Sequence, residues 1–263
     1  MAAYGNINVG TINDGAIGTK NAIINGNFGI NQRGVSGTVS LAAGAYGHDR
    51  WKAGASGCTY TFATSENVTT LTISAGSLIQ VIEGINLQTG TYTLSWEGTA
   101  QGKIGAGSYG ASGISGLVTG GTNLNIEFGT GTVKLVQLEK GSVATPFEFR
   151  QYGTELALCE RYYQLIDSSS GVANNASSFT GTISFRAVMR ANPTVGLTAP
   201  LQITDTYFSD HTQSSNNISI VSGTRVTTKG VNISCLNFSG LTQGRTMIVN
   251  AATGGSITLS SEL

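Results

Sequence analysis

Two histidines, three cysteines and a thin scatter of carboxylates are most of what this chain offers for catalysis. His48 sits in Tyr46-Gly47-His48-Asp49-Arg50-Trp51, and His211 in Tyr207-Phe208-Ser209-Asp210-His211-Thr212. A Ser/His/Asp triad would need one of them beside an activated serine. No Gly-x-Ser-x-Gly elbow follows a strand and opens a helix. Glycoside cleavage needs a pair of carboxylates across a bond, for which Glu66, Glu83, Glu97 and Glu127 are the candidates. Glu97 and Glu127 fall on the polar phase of alternating segments and are expected to face solvent. No His/Cys/Asp/Glu cluster has metal-ligand spacing, and no phosphate loop accompanies the abundant glycine. The expectation is a protein with no catalytic residue, no metal and no cofactor.

Binding chemistry is better represented. Asp49, Arg50 and Trp51 could hold a sugar, with the ring stacking and the ions bonding to hydroxyls. Equally, an Asp49–Arg50 pair could pin a strand start while Trp51 fills the core. The second reading is preferred, because large aromatics at strand starts usually supply buried area. Trp96 lies on an apolar phase and reads as core for the same reason. The aromatics in loop-like contexts are Tyr46, Tyr109, Tyr207 and Phe208. With Asp210 and His211 beside the last two, these are the candidate glycan-binding residues.

The composition limits the possible frameworks for such sites. The chain has 263 residues, 37 of them Gly, only 11% charged, and a formal net charge of zero. Average soluble proteins carry about 25% charged residues. The neutral balance leaves no electrostatic footprint for nucleic acid or an anionic membrane. No apolar run approaches the roughly 20 residues of a membrane helix, and the first residues read as no secretory signal. Cys58, Cys159 and Cys235 fit no zinc or redox spacing and read as small buried apolar residues. Five Asn-x-Ser/Thr sites, at Asn67, Asn175, Asn217, Asn232 and Asn237, read as chance in a Ser/Thr/Asn-rich chain.

Residues 1–20 are small and turn-forming and read as an arm that is disordered or docks elsewhere. Ile23, Ile24 and Phe28 suggest a first buried strand. A two-residue rhythm then runs through Leu71 and Ile73; Tyr92, Leu94 and Trp96; Leu124, Ile126 and Phe128; and Val133, Leu135 and Leu138. Such alternation puts one face in a core. Several short strands without intervening helices imply a sandwich or jelly roll. Residues 101–121 read as a long loop or weak edge hairpin.

The one convincing helix is expected from Thr154 to Ile166. Leu156, Cys159, Tyr163 and Ile166 form one stripe. Thr154 would cap it, and Glu155 would sit in the first turn. A second stripe, Leu158, Tyr162 and Leu165, predicts cover on a second side, by the second domain or by a neighbouring subunit. Tyr162, Tyr163 and Leu165 are therefore the candidate contacts between subunits. Residues 168–178 read as a spacer. Strand signals resume at Ile183–Ala187, Leu201, Ile218, Val231–Cys235, Met247 and Ile257, with Pro193 as a break. The fold class is all-β: an N-terminal arm (1–20), a jelly-roll β-sandwich (21–150), a short connecting α-helix (151–167) and a second, smaller β-sandwich (168–263).

Three passages resemble the tail-fibre and receptor-binding structural proteins of tailed bacteriophages. They are Asn21-Ala-Ile-Ile-Asn-Gly-Asn-Phe-Gly-Ile-Asn-Gln-Arg-Gly34, Tyr46-Gly-His-Asp-Arg-Trp51, and Gln137-Leu-Glu-Lys-Gly-Ser-Val-Ala-Thr-Pro-Phe-Glu-Phe-Arg150, the last followed by Glu155-Leu-Ala-Leu-Cys-Glu-Arg-Tyr-Tyr163. The resemblance implies a jelly roll similar to carbohydrate-binding modules, a place in the virion after assembly in the bacterial cytoplasm, and a homotrimer. The opening Asn6-Ile-Asn-Val-Gly-Thr11 with Asn13-Asp-Gly15 looks like a shortened virion-attachment arm, so other virion proteins are implied partners. A host-surface glycan is the implied ligand. The alternative is a purely structural collar, baseplate or capsid-decoration piece without a receptor. A glycan-cleaving depolymerase is the third reading.

Overall fold

The computed structural model describes residues 20–221, 226–249 and 255–263. The expected arm, its attachment motif included, lies outside the described residues but for Lys20. The fold is all-β. The first eight strands are β1 (Val39–Leu41), β2 (Lys52–Ser65), β3 (Val68–Ile82), β4 (Gly90–Glu97), β5 (Gly102–Ile104), β6 (Ile114–Val118), β7 (Leu124–Phe128) and β8 (Gly131–Lys140). A single α-helix, α1 (Tyr152–Glu160), follows. Ten further strands are β9 (Tyr163–Ile166), β10 (Ser170–Asn175), β11 (Ser178–Ser184), β12 (Thr194–Leu197), β13 (Gln202–Asp205), β14 (Asp210–Thr212), β15 (Ile218–Ile220), β16 (Gly230–Cys235), β17 (Thr246–Val249) and β18 (Ile257–Ser260).

In the first half the strands run β1-β2-β3-β8-β4-β6 along one path, while β7 pairs with β3 and β5 pairs with β7. β3 serves both layers. Its first part pairs with β8 through Leu71–Ile73, and its second part with β7 through Leu78–Ile82. The chain must bend between these parts, and Gly57 and Gly76 allow it. Both have positive φ (78° and 71°), and a Cβ on Gly76 would lie 2.0 Å from the Gly57 carbonyl oxygen. The segment 101–121 likewise divides between layers, through β5 and β6. Trp51, Tyr60, Leu71, Leu94, Phe128 and Val136 are among the side chains of the enclosed core.

In the second half a seven-stranded sheet, β14-β13-β17-β10-β11-β16-β15, faces a three-stranded one, β12-β18-β9. A separate core lies between them, with Phe179, Ile203, Ile233, Met247, Ile257 and Leu259 fully buried. Pro193 immediately precedes β12. All three cysteines are buried free thiols.

Four elements differ from the sequence reading, each for a definable reason. Ile23 and Phe28 are buried, but residues 21–28 form no strand. Asn25 and Phe28 have positive φ, and side chains satisfy the backbone in place of a ladder. Gln80 accepts from the Ile24 amide (2.8 Å) and donates to the Ile24 carbonyl (2.7 Å). Leu135 has a φ of 52°; this irregularity shifts the phase, so Val136 is buried where Leu135 was expected. The supposed spacer 168–178 contains β10, the central strand of the larger sheet. Its alternation is unreadable because Phe179 lies over Gly171: a Cβ there would meet the Phe179 ring at 2.4 Å. The helix ends at Glu160, and residues 163–166 are strand β9, paired with β18. Its N-cap is Gln151, without a side-chain cap bond, rather than Thr154.

The early end of the helix also relocates the expected subunit contacts. Tyr162 and Tyr163 are buried between the two halves of the same chain, and Leu165 is half-buried in β9, opposite Thr258. The Arg50 guanidinium lies 3.5 Å from the centre of the Tyr162 ring, and that of Arg33 3.8 Å from the Tyr163 ring. Neither tyrosine is therefore free for a second subunit. Arg50 does not pair with Asp49. It pairs with Glu262 and donates to the Val81 carbonyl (2.7 Å). Arg33 also reaches Glu262 (3.1 Å) and lies 3.6 Å from Asp49. Glu83 holds Arg161 (3.1 Å) and Arg190 (3.5 Å) across the same junction.

This junction is testable. Arg50 is 1% exposed, and removing its carboxylate partner leaves a buried charge uncompensated. Glu262→Ala is expected to lower unfolding free energy by about 3 kcal/mol in urea titration. An effect within about 0.5 kcal/mol, the range of ordinary surface substitutions, would show that the clamp carries no weight.

Candidate functional site

A cleft of about 680 Å³ opens in the first half, between the loop 27–31, the β2–β3 hairpin tip and the segment leading into α1. That volume lies in the usual range for small-ligand sites. Its floor is apolar and rigid. Phe28, Ile30 and His48 are fully buried, and the His48 ring packs edge-on against Phe62 at 4.6 Å. Two aromatics stand at its edge with most of their surface in solvent: Phe149 is 63% exposed and Tyr152 66%.

Each wall has a local cause. Asn25 folds the loop 25–30 onto the sheet. Its side chain donates to the carbonyls of Ile30 (2.8 Å) and Asp49 (3.0 Å) and accepts from the Ile30 amide (2.9 Å). The hairpin tip turns through Glu66 and Asn67, both with positive φ, as a two-residue hairpin turn requires. The Thr69 amide donates to Asn27 (3.0 Å), joining tip to loop. The third wall is fixed by Arg150, which bonds both carboxylate oxygens of Glu155 (3.2 and 3.1 Å) and the carbonyls of Ile23 (3.0 Å) and Asn21. Glu155 in turn accepts from the Asn25 amide. Upstream, Glu139 accepts from the Thr145 amide and hydroxyl (both 2.7 Å), and Gln137 from the Glu148 amide (2.8 Å).

The groups left free define what the cleft can do. Among the described residues, the side chains of Glu66, Asn67 and Tyr152 make no hydrogen bond or ion pair within the chain. The buried Arg150 Nε–H has no acceptor. The arrangement of apolar floor, exposed rings and open hydrogen-bonding groups suits a ligand with one apolar face and several hydroxyls.

The residues expected to bind glycan do not gather into one site. Tyr46 is half-buried at the junction, beneath Arg33 and Lys52, and its hydroxyl donates to the Leu263 carbonyl. Burial pushes that hydroxyl up to about 12. Tyr109 is 40% exposed but is covered by the Lys103 ammonium at 4.8 Å. Tyr207 and Phe208 sit at the β13–β14 tip in the other half, 71% and 90% exposed, and Arg245 stacks on Tyr207 at 4.1 Å. Asp210 accepts from the Thr204 hydroxyl (2.6 Å), and His211 Nδ1 donates to the Ser239 carbonyl (3.1 Å). Phe149 and Tyr152 were not singled out in the sequence. The available signal was Phe147-x-Phe149, two aromatics on the same phase where only one can be covered: Phe147 is half-buried and Phe149 is not.

The carboxylates considered for glycoside cleavage stand apart in their bonding. Glu97 pairs with Lys134 (3.0 Å), Glu127 with Lys103 (2.8 Å) and Glu83 with two arginines. Lys103, Ser77 and Tyr109 hold the Glu127 carboxyl below its ordinary range despite partial burial. Among the described residues no group of three or more His, Cys, Asp or Glu side chains is placed to hold a metal, and no helix is long and apolar enough to cross a membrane. No family model matches the chain, and no curated protein or solved structure matches it.

His48 gives the cleft floor a pH dependence. Burial lowers its imidazole from 6.5 to about 4. The unfolded chain therefore binds a proton below pH 6.5 that the folded chain refuses until about 4. Stability from this group is complete above pH 6.5 and is lost as pH falls toward 4. Between pH 7 and pH 5 the wild type is expected to lose about 2 kcal/mol more than His48→Gln. Urea titrations of both at the two pH values would check this; parallel losses would refute it.

Proposed function

We propose that this chain is a non-enzymatic structural protein of a tailed-bacteriophage virion, a tail-fibre or spike component that contributes to recognition of host-surface glycans. In this reading the first half is a jelly roll acting as a carbohydrate-binding module, and the cleft walled by residues 27–31, 64–69 and 149–155 holds the sugar. The observation that carries it is the pair of exposed rings, Phe149 and Tyr152, beside open hydrogen-bonding groups on a buried apolar floor. The C–H face of a pyranose stacks on such rings, while its hydroxyls need donors and acceptors at the edge. The three passages that resemble tail-fibre proteins supply the biological setting. Two of them, 21–34 and 137–150, also build the cleft walls. Homotrimer assembly and docking of the arm 1–20 on other virion proteins belong to the same proposal.

A purely structural role as a collar, baseplate or decoration protein is the second reading. Ile85 (83% exposed) and Leu117 (79%) would be contact residues in it.

Binding of the purified chain to host cells and to a glycan array separates the two. The double variant Phe149→Ala/Tyr152→Ala is expected to lose at least about tenfold in affinity, roughly 1.4 kcal/mol, with its melting temperature unchanged because both rings are exposed. Tyr207→Ala/Phe208→Ala should leave binding intact. Loss confined to the second pair would move the site to the β13–β14 tip. Virion incorporation without any glycan binding would favour the structural role.

A further inference from the structure

The charges around the cleft narrow its ligand. Among the described residues Arg150 is the only lysine or arginine lining it, and its charge is already spent. Glu155 holds it at 3.1 Å and Glu148 lies 3.7 Å away on the other side. His48 adds no positive charge at neutral pH, since burial keeps it neutral down to about 4. At the hairpin tip Glu66 is exposed and makes no ion pair among the described residues. A ligand on the Phe149–Tyr152 platform therefore meets one uncompensated negative charge and no free positive one.

We infer that the cleft takes an uncharged oligosaccharide of hexose or N-acetylhexosamine units and discriminates against acidic glycans, with Glu66 as the specificity-determining residue. This rests on the reading of the cleft as the glycan site. Glu66 accepts from hydroxyl or acetamido groups, and Asn67 accepts from and donates to them. A uronate, sialate or phosphate brought against Glu66 would be repelled without a cation to offset it. Like-charge juxtaposition across an interface is costly, and such repulsion is a common source of specificity.

Calorimetric titration with neutral hexose and N-acetylhexosamine oligosaccharides, and with the same backbones carrying a uronic or sialic acid, tests it. The wild type is expected to bind neutral ligands at least about tenfold more tightly than their acidic counterparts. Glu66→Gln should shrink that ratio severalfold by tightening the binding of the acidic ligands. Acidic ligands preferred by the wild type, with binding lost in Phe149→Ala/Tyr152→Ala, would overturn the ligand class and leave the site standing. Neutral binding that survives Phe149→Ala/Tyr152→Ala would overturn the site itself. An unchanged ratio in Glu66→Gln would remove Glu66 from its role, and absence of binding to either set would overturn both readings.

Discussion

The buried Arg150–Glu155 pair holds together what the β-sheets alone cannot. Residues 21–28 run along the core edge outside any ladder, their backbone bonded to β8 only by the Ala22 amide to Leu138 (2.9 Å) and the Val136 amide to Gly26 (2.8 Å), so others of their amides and carbonyls depend on side chains. Arg150 takes the carbonyls of Asn21 and Ile23, and Glu155 takes the Asn25 amide. The two charges neutralise each other at 3.1 Å, which makes their burial tolerable. One interaction thus fixes residues 21–25, the segment leading into α1 and the start of the helix together. The cleft is the space left between these pieces.

A second constraint joins the two halves. The chain is poor in charge, yet among the described residues six acidic residues are buried, Asp49, Glu83, Glu139, Glu155, Glu160 and Asp205, and the side chain of a seventh, Glu262, is nearly so. Several of them act at the junction. Glu262, six per cent exposed, returns from the end of β18 to meet Arg33 and Arg50, while Glu83 reaches Arg161 and Arg190. Tyr162 and Tyr163 supply the ring faces on which the arginines lie. Buried ion pairs contribute little net stability against an apolar alternative, but their fixed geometry makes one docking angle far better than its neighbours.

The candidate site was only partly legible. The passages 21–34 and 137–150 stood out as sequence, and both line or support the cleft. The aromatics chosen by loop context, Tyr46, Tyr109, Tyr207 and Phe208, lie at three separate places. Loop context predicts exposure poorly for Tyr46, because the Leu263 carbonyl and two cations from elsewhere close over it. Phe149 escaped notice because it alternates with Glu148 and Arg150 in phase with Phe147, a pattern whose default expectation is burial of both rings. Its exposure follows from Phe147 having taken the covered position.

The alternation of Leu71 with Ile73, of Tyr92, Leu94 and Trp96, and of Val231, Ile233 and Cys235 determined an all-β sandwich unaided, because a strand with one face in a core must repeat every two residues. Trp96 was placed in the core by the same logic, and Trp51 by its place at a strand start. Tertiary structure alone decided the rest. Leu135 lost its place to Val136 at an irregularity, β10 hides its role behind Gly171 and the Phe179 ring, and Tyr163–Ile166 left the helix for a ladder with β18. For β10 and β9 a partner more than five residues away in sequence supplies the deciding contact. Local periodicity carries no information about which distant strand, ring or carboxylate will be there to accept it.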